Sequence, residues 1–229
     1  VVQTIGGGGG FAGDAAGNAY LGGFNLAGSN NVSGSSEALM PIACRFGSCE
    51  VKIVEQTVLV DIQGDLVTTG ATSPVMLVQA IGGGGGRLGT IGGNAFLGMV
   101  SSSGNNDGGA IRVVSNAGAS LTSTGNDSAA LVIQSIGGGG GTINSIGGNA
   151  TLGGRGTGTL RAGAITLNGP FAAVTQGNNS PGVVLQSIGG GGGLAADVDG
   201  DSISFGTLSL ADTSASDVTA ISANWQIST

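Results

Sequence analysis

The chain has 229 residues, among them 50 Gly, 4 Pro, 2 Cys and no His, and only 8% of its residues are charged. With 13 Asp+Glu against 6 Lys+Arg, and Lys52 the single lysine, it carries no basic stripe for phosphates, so neither nucleic acid nor an anionic membrane surface is expected as a partner. The absence of His removes Ser-His-Asp and Cys-His catalysis and imidazole metal ligands together.

Charge is too low, and hydrophobicity too high, for ordinary disorder. Val, Ile, Leu, Ala, Ser and Thr fill the space between glycines, which favours strands and tight turns over helices. No apolar run reaches the roughly 18 residues that a membrane-spanning helix needs. The first residues already belong to a repeat, with no Met or signal peptide before them, so the chain reads as a segment of a longer protein.

The opening "VVQTIGGGGG" is the first of four such strings. A pentaglycine follows Ile5, Ile81, Ile136 and Ile188, at separations of 76, 55 and 52 residues. Gln3, Gln79, Gln134 and Gln186 stand two residues before each Ile. Asn18, Asn94, Asn149 and Asp201 stand thirteen residues after it. Ser73, Ser128 and Ser180 precede the later anchors by eight, and Gly70, Gly125 and Gly177 precede those serines by three. The predicted units are 5–80, 81–135, 136–187 and a partial 188–229, forming one array over residues 1–229.

The first unit carries an insertion around residues 34–57, within "SGSSEALMPIACRFGSCEVKIVEQ". It holds Cys44, Cys49, Arg45, Phe46 and Lys52. Two cysteines in an otherwise Cys-free chain predict a local Cys44–Cys49 disulfide in an oxidising compartment. Insertions in repeat proteins project from one face and often bind, so Arg45, Phe46 and Lys52 are candidate ligand contacts. The alternative is a loop that covers the edge of a sheet.

Within each later unit the first predicted strand alternates with period two. Met76, Val78 and Ala80 align with Leu131, Ile133 and Ser135 and with Val183, Leu185 and Ser187, giving one apolar and one mixed face. "LTSTGNDS" and "VTQGNNSP" are turns in which Gly or Asn takes positive φ. "IGGNAFLG" and "IGGNATLG" predict a turn into a short strand, and "AIRVVS" and "AITLNG" a further one. Short strands repeated at a fixed period predict an all-β fold, a parallel β-solenoid (β-helix) of 52–55-residue glycine-rich repeats. A unit this long predicts three coils of about 18 residues each. The pentaglycines are expected to be ordered, as polyproline-II-like strands packed on neighbouring backbone. A flexible linker is the alternative, but linkers do not keep five glycines and an upstream Gln through four copies.

"SAALVIQSIGGGGG" and "SPGVVLQSIGGGGG", spaced by "IGGNA" blocks, resemble the passenger regions of large Gram-negative autotransporter adhesins. The likeness covers nearly the whole chain and weakens after Asp212. It implies an extracellular, cell-surface β-helical stalk whose outer-membrane β-barrel anchor lies elsewhere in the full-length protein. It also implies roles in adhesion and aggregation, with a host-cell or bacterial surface ligand, or self-association. It transfers no catalytic residue, because the matched motif contains none.

The remaining candidate sites are weak. The serines have no recognisable general base, and the G-x-G-x-x-G strings lack a Walker lysine and a βαβ context. A glycan lyase would need clustered Asp or Arg, whereas Arg112, Arg155 and Arg161 are scattered. In "DVDGDS", Asp197, Asp199 and Asp201 alternate as calcium ligands do. The EF-hand glycine is misplaced, however, and Asp201 occupies the register of Asn149, so a solvated acidic turn is the simpler reading. Thr157 and Thr159 form one threonine pair, without the coil-by-coil array of an ice-binding surface. No cofactor is expected. The functional expectation is a non-enzymatic structural and adhesive segment; the alternatives are a binding module built on the Cys44–Cys49 loop and a polyglycine scaffold of phage-fibre or ice-binding type.

Overall fold

The structure, a computed structural model, describes residues 1–5, 9–12, 14–17, 19–21, 24–25, 40–44, 47–54, 57–98, 100–101, 106–115, 118–153, 159–199, 202–205, 212–215, 217–221 and 226–229. These residues are all-β: strands pair mostly in parallel within stacked sheets, and none is helical. Accordingly no helix among them is long and apolar enough to cross a membrane.

The second unit shows the order of elements. Its strands are Met76–Ile81, Gly85–Ile91, Ala95–Leu97, Val100–Ser101, Ala110–Ser115 and Ala119–Ser123. Each lies parallel to its own counterpart in a neighbouring unit rather than to the strand beside it in sequence. Met76–Ile81 pairs with Leu131–Ile136, which pairs with Val183–Ile188, Ile opposite Ile and Gln opposite Gln. Gly85–Ile91 pairs likewise with Gly140–Ile146, and that strand with Gly192–Val198. The arrangement is consistent with a β-solenoid.

The expected coils of about 18 residues are not formed. Among the described strands, Gln79 pairs with Gln134 and Gln134 with Gln186, offsets of 55 and 52, and Gln3 pairs with Gln79 across 76. The reason lies in burial. Met76–Ile81 and Leu131–Ile136 are buried at every position, on both faces, whereas Ala119–Ser123 and Phe171–Thr175 alternate buried and half-buried. Strands with such different patterns cannot stack on one another, and only a copy one whole unit away matches side chain for side chain.

Burial on both faces makes the Met76–Ile81 sheet a middle layer. On one side Val78, Ala80 and Ile133 pack with Val58, Val60, Ile62, Ile111, Val113 and Leu121 in the larger core. A second core joins Leu88, Ile91 and Leu97 to Ile143, Ile146 and Leu152. Leu77 and Val132, on the mixed face, form a third cluster with Ala129. Each such Leu or Ile withdrawn from water contributes about 1.5–3 kcal/mol.

The extra residues of the first unit are placed by the register. Phe24 pairs with Val100 across 76 residues, but Thr57 pairs with Ala110 across 53, so 23 additional residues lie between Asn25 and Thr57. This agrees with the insertion expected from sequence. Its described part, however, is a hairpin: Met40–Cys44 pairs antiparallel with Gly47–Val54, which pairs antiparallel with Thr57–Ile62. The insertion thus adds two strands to the end of a sheet whose other members are parallel.

Candidate functional site

The recurring polar residues form ladders that run from unit to unit. Gln3 Nε2 donates to Gln79 Oε1, Gln79 Nε2 to Gln134 Oε1 at 2.6 Å, and Gln134 Nε2 to Gln186 Oε1 at 2.6 Å. Gln79 and Gln134 are fully buried. Thr142, on the next sheet, joins them: its Oγ1 receives Gln79 Nε2 at 3.2 Å and donates to Gln134 Oε1 at 3.1 Å. A buried amide without partners costs several kcal/mol, so each Gln needs its copies above and below. Ile81 and Ile136 stack in register with Ile188; the first two are fully buried and Ile188 half-buried.

A serine ladder explains a second register. Ser73 N donates to Ser128 Oγ at 2.9 Å and Ser128 N to Ser180 Oγ at 3.1 Å. Each hydroxyl faces a glycine carbonyl of the preceding unit, Ser128 Oγ that of Gly70 at 2.9 Å and Ser180 Oγ that of Gly125 at 3.0 Å. Positive φ in these turns is expected of Gly or Asn. It falls on Thr72, Asp127 and Asn179, at 53–54°, so Asn179 meets the expectation and the glycines do not. Gly125 is required for another reason: a Cβ there would lie 2.0 Å from Gly70 O.

Asparagines make a third ladder. Asn149 N donates to Asn94 Oδ1 at 2.8 Å, and Ser202 N to Asn149 Oδ1 at 3.1 Å. Counting from the Ile anchors equates Asp201 with Asn149. The pairing offset grows from 52 at Val198 to 53 at Ile203, so Ser202 takes that place instead.

The pentaglycines are built into this lattice. Gly137 N donates to Ile188 O at 2.9 Å, Gly138 N to Asn106 O at 2.9 Å and Gly140 N to Gly84 O at 3.2 Å. The expected polyproline-II conformation, with φ near −75°, is absent from Gly138–Gly141. Gly138 and Gly139 have φ of 83° and 91°, and Gly140 and Gly141 139° each. Backbone presses on backbone throughout. A Cβ on Gly137 would lie 2.5 Å from the carbonyl carbon of Leu160, and one on Gly140 1.9 Å from Gly192 O. Glycine meets both demands, of φ and of space.

Sequence inspection missed Arg87, which follows the glycines where other units have Thr142 and Leu194. It is only 7% exposed, donates to Thr72 O and, at 3.3 Å, to Asn144 Oδ1, and burial pulls its pKa down. The one signal was a charge at a position that is uncharged in the other copies.

The other candidates are not brought together. Cys44 lies opposite Gly47 and Cys49 opposite Ile42, so the cysteines are diagonal neighbours across the hairpin, roughly 7–8 Å apart between Cα atoms. That is at the limit of disulfide reach, so a bridge requires the turn to tighten. Lys52 belongs to the strand Gly47–Val54, and Arg45 and Phe46 lie outside the described residues. Asp197 pairs with Ser145 within a strand, Asp199 is exposed, and Asp201 lies outside the described residues. Asp197 is therefore no part of a turn. Among the described residues no three His, Cys, Asp or Glu converge as a metal site. Thr159 Oγ1 donates to Asp107 Oδ2 at 2.9 Å; Thr157 and Arg155 lie outside the described residues. Arg112 and Arg161 are exposed on different sheets.

In comparisons with known proteins the chain matches no family model, no curated protein and no solved structure.

Proposed function

We propose that this chain is a non-enzymatic stalk segment of a secreted, cell-surface protein of autotransporter type, acting in attachment or aggregation. In this reading it is a parallel β-solenoid in which each 52–55-residue repeat forms one coil. The observation that supports it most is the set of glutamine, serine and asparagine ladders. They commit the conspicuous polar groups to neighbouring units, as a scaffold does, rather than gathering them as acid, base and nucleophile around a cleft. The sequence likeness to autotransporter passengers supplies the extracellular setting, with an outer-membrane barrel elsewhere and a host or bacterial surface, or a second cell, as partner.

The test is display. The chain is fused to an outer-membrane barrel on bacteria lacking adhesins, and sedimentation of the culture and attachment to host cells are compared with cells bearing the barrel alone. Increased settling or attachment is expected. Behaviour identical to the bare barrel, with the chain present at the surface, overturns the adhesive reading.

A further inference from the structure

We infer that the two ends of the stack are complementary strand-addition surfaces for a second copy of this chain, and that the hairpin Met40–Cys44 and Gly47–Val54 keeps them apart. The inference stands whether or not the chain is an adhesin.

At one end Val183–Ile188, Gly192–Val198, Ile203–Phe205, Asp212–Ser214, Val218–Ile221 and Gln226–Ser228 are all terminal strands of their sheets. Burial changes there. The counterparts Met76–Ile81 and Leu131–Ile136 are buried at every residue, whereas Val183–Ile188 is half-buried at every residue. Val218 and Ile227 are 44% and 52% exposed. This surface repeats, position for position, the one that Leu131–Ile136 presents to Val183–Ile188 inside the molecule.

The opposite end carries the same sequence pattern. Val2 and Gln3 occupy the register of Val78 and Gln79. The glutamine ladder also has a direction, each Nε2 donating toward the C-terminal unit, so it ends on Gln186 as acceptor and begins on Gln3 as donor. Gln186 Nε2 of one copy therefore meets Gln3 Oε1 of the next with the right polarity. Head-to-tail addition continues the internal interface without a change of register, which unpaired parallel edges invite.

The hairpin breaks this complementarity. It adds two strands beyond Thr57–Ile62, on the side where a preceding copy's Val218–Ile221 would pair. Two strands project about 10 Å, and the other edges need to approach to about 4.8 Å. The antiparallel hairpin thus fills one edge and holds the rest out of range.

Deleting residues 33–55 removes the 23 additional residues and restores the 53-residue offset to the first unit. The full chain should sediment as a monomer. The deletion variant should form oligomers whose weight-average mass at least doubles as concentration rises. Because deletion removes Cys44 and Cys49, Thr4→Cys and Ser187→Cys can be added to it; these positions meet only in head-to-tail register, and a short thiol cross-linker should join separate chains. A folded variant that stays monomeric, a full chain that assembles equally well, or oligomers without this cross-link overturns the inference. Should the variant not fold, hydrogen exchange of the full chain decides. Amides of Thr57–Ile62 should be protected like those of Ile111–Val113. Exchange as fast as at Val218–Ile221 overturns it.

Discussion

Replacing Gly140 by Ala adds one methyl group at the most crowded point of the stack. Its Cβ would sit 1.9 Å from Gly192 O, where ordinary contact begins at 3.4 Å, so the two units must part by about 1.5 Å. The obstacle is backbone and cannot rotate away. Parting breaks the 3.3 Å bond from Gly192 N to Gly139 O and strains that from Gly140 N to Gly84 O at 3.2 Å. Two buried backbone bonds are worth about 1 kcal/mol each. Alanine at φ 139° adds about 1–3 kcal/mol of strain. The sum, about 4 kcal/mol, is a large part of the 5–15 kcal/mol that holds a typical domain, and lowers Tm by roughly 10 °C at this size.

Two other glycines separate the causes. Gly118 has φ of 66° with nothing within 4 Å of where a methyl group would stand, and Gly17 has neither constraint. Gly118→Ala should cost about 1 kcal/mol, from the backbone alone, and Gly17→Ala less than about 0.5 kcal/mol. Urea denaturation followed by circular dichroism measures all three. If Gly140→Ala costs no more than Gly118→Ala, the backbones do not approach as described and the pentaglycine is a linker after all.

Gln134→Glu should make stability depend on pH. A protonated Glu can donate to Gln186 Oε1 as the amide does, whereas a carboxylate there is buried against another oxygen. Burial raises the folded-state pKa above the unfolded value of about 4.3, so the variant should approach wild type below about pH 4 and lose stability as pH rises toward 7; a deficit that does not change with pH refutes the ladder. Thr72→Asn should stabilise by about 1 kcal/mol, because Thr72 is a β-branched residue at φ 53°, and an unchanged or lower urea midpoint refutes that strain. For chain secreted through an oxidising compartment, alkylation without reductant followed by mass measurement should find Cys44 and Cys49 unmodified; two alkylated thiols refute the bridge.

The registers of Gln, Ser, Asn and Gly were legible because hydrogen-bond ladders between copies need one residue type at one place. Gln134 cannot become Val without stranding amides on both sides. The all-β character was legible for a similar reason, since Leu131–Ile136 and Ala119–Ser123 carry apolar residues at strand spacing. What pairs with what was not. Several short apolar strands per unit permit either stacking within a unit or stacking between units, and only burial in three dimensions distinguishes the doubly covered Met76–Ile81 from the half-exposed Leu66–Thr68. The role of Gly125 was hidden because it answers to a contact with Gly70 in another unit, which no local turn rule contains. Arg87 escaped because its partners Thr72 and Asn144 are distant in sequence. The hairpin was visible as surplus length, but the edge it occupies belongs to the sheet and not to the insertion.

Pairing between whole units also sets what such a stalk can do. Each repeat adds one strand spacing, about 4.8 Å, along the stack. A stack of ten repeats would therefore rise only about 50 Å, a third of what coils of about 18 residues would reach. What the longer coil gains is width. One step of the stack engages the sheets of Met76–Ile81, Gly85–Ile91, Ala95–Leu97, Ala110–Ser115 and Ala119–Ser123 at once, together with three side-chain ladders. Nearest-neighbour coupling of that breadth makes opening a single repeat costly and favours loss of the array as a unit. The pentaglycine serves the same close packing. By removing side chains where Gly137–Gly141 meets the backbone of Asn106 and Leu160, it lets the wide coil fold inward instead of enclosing a void.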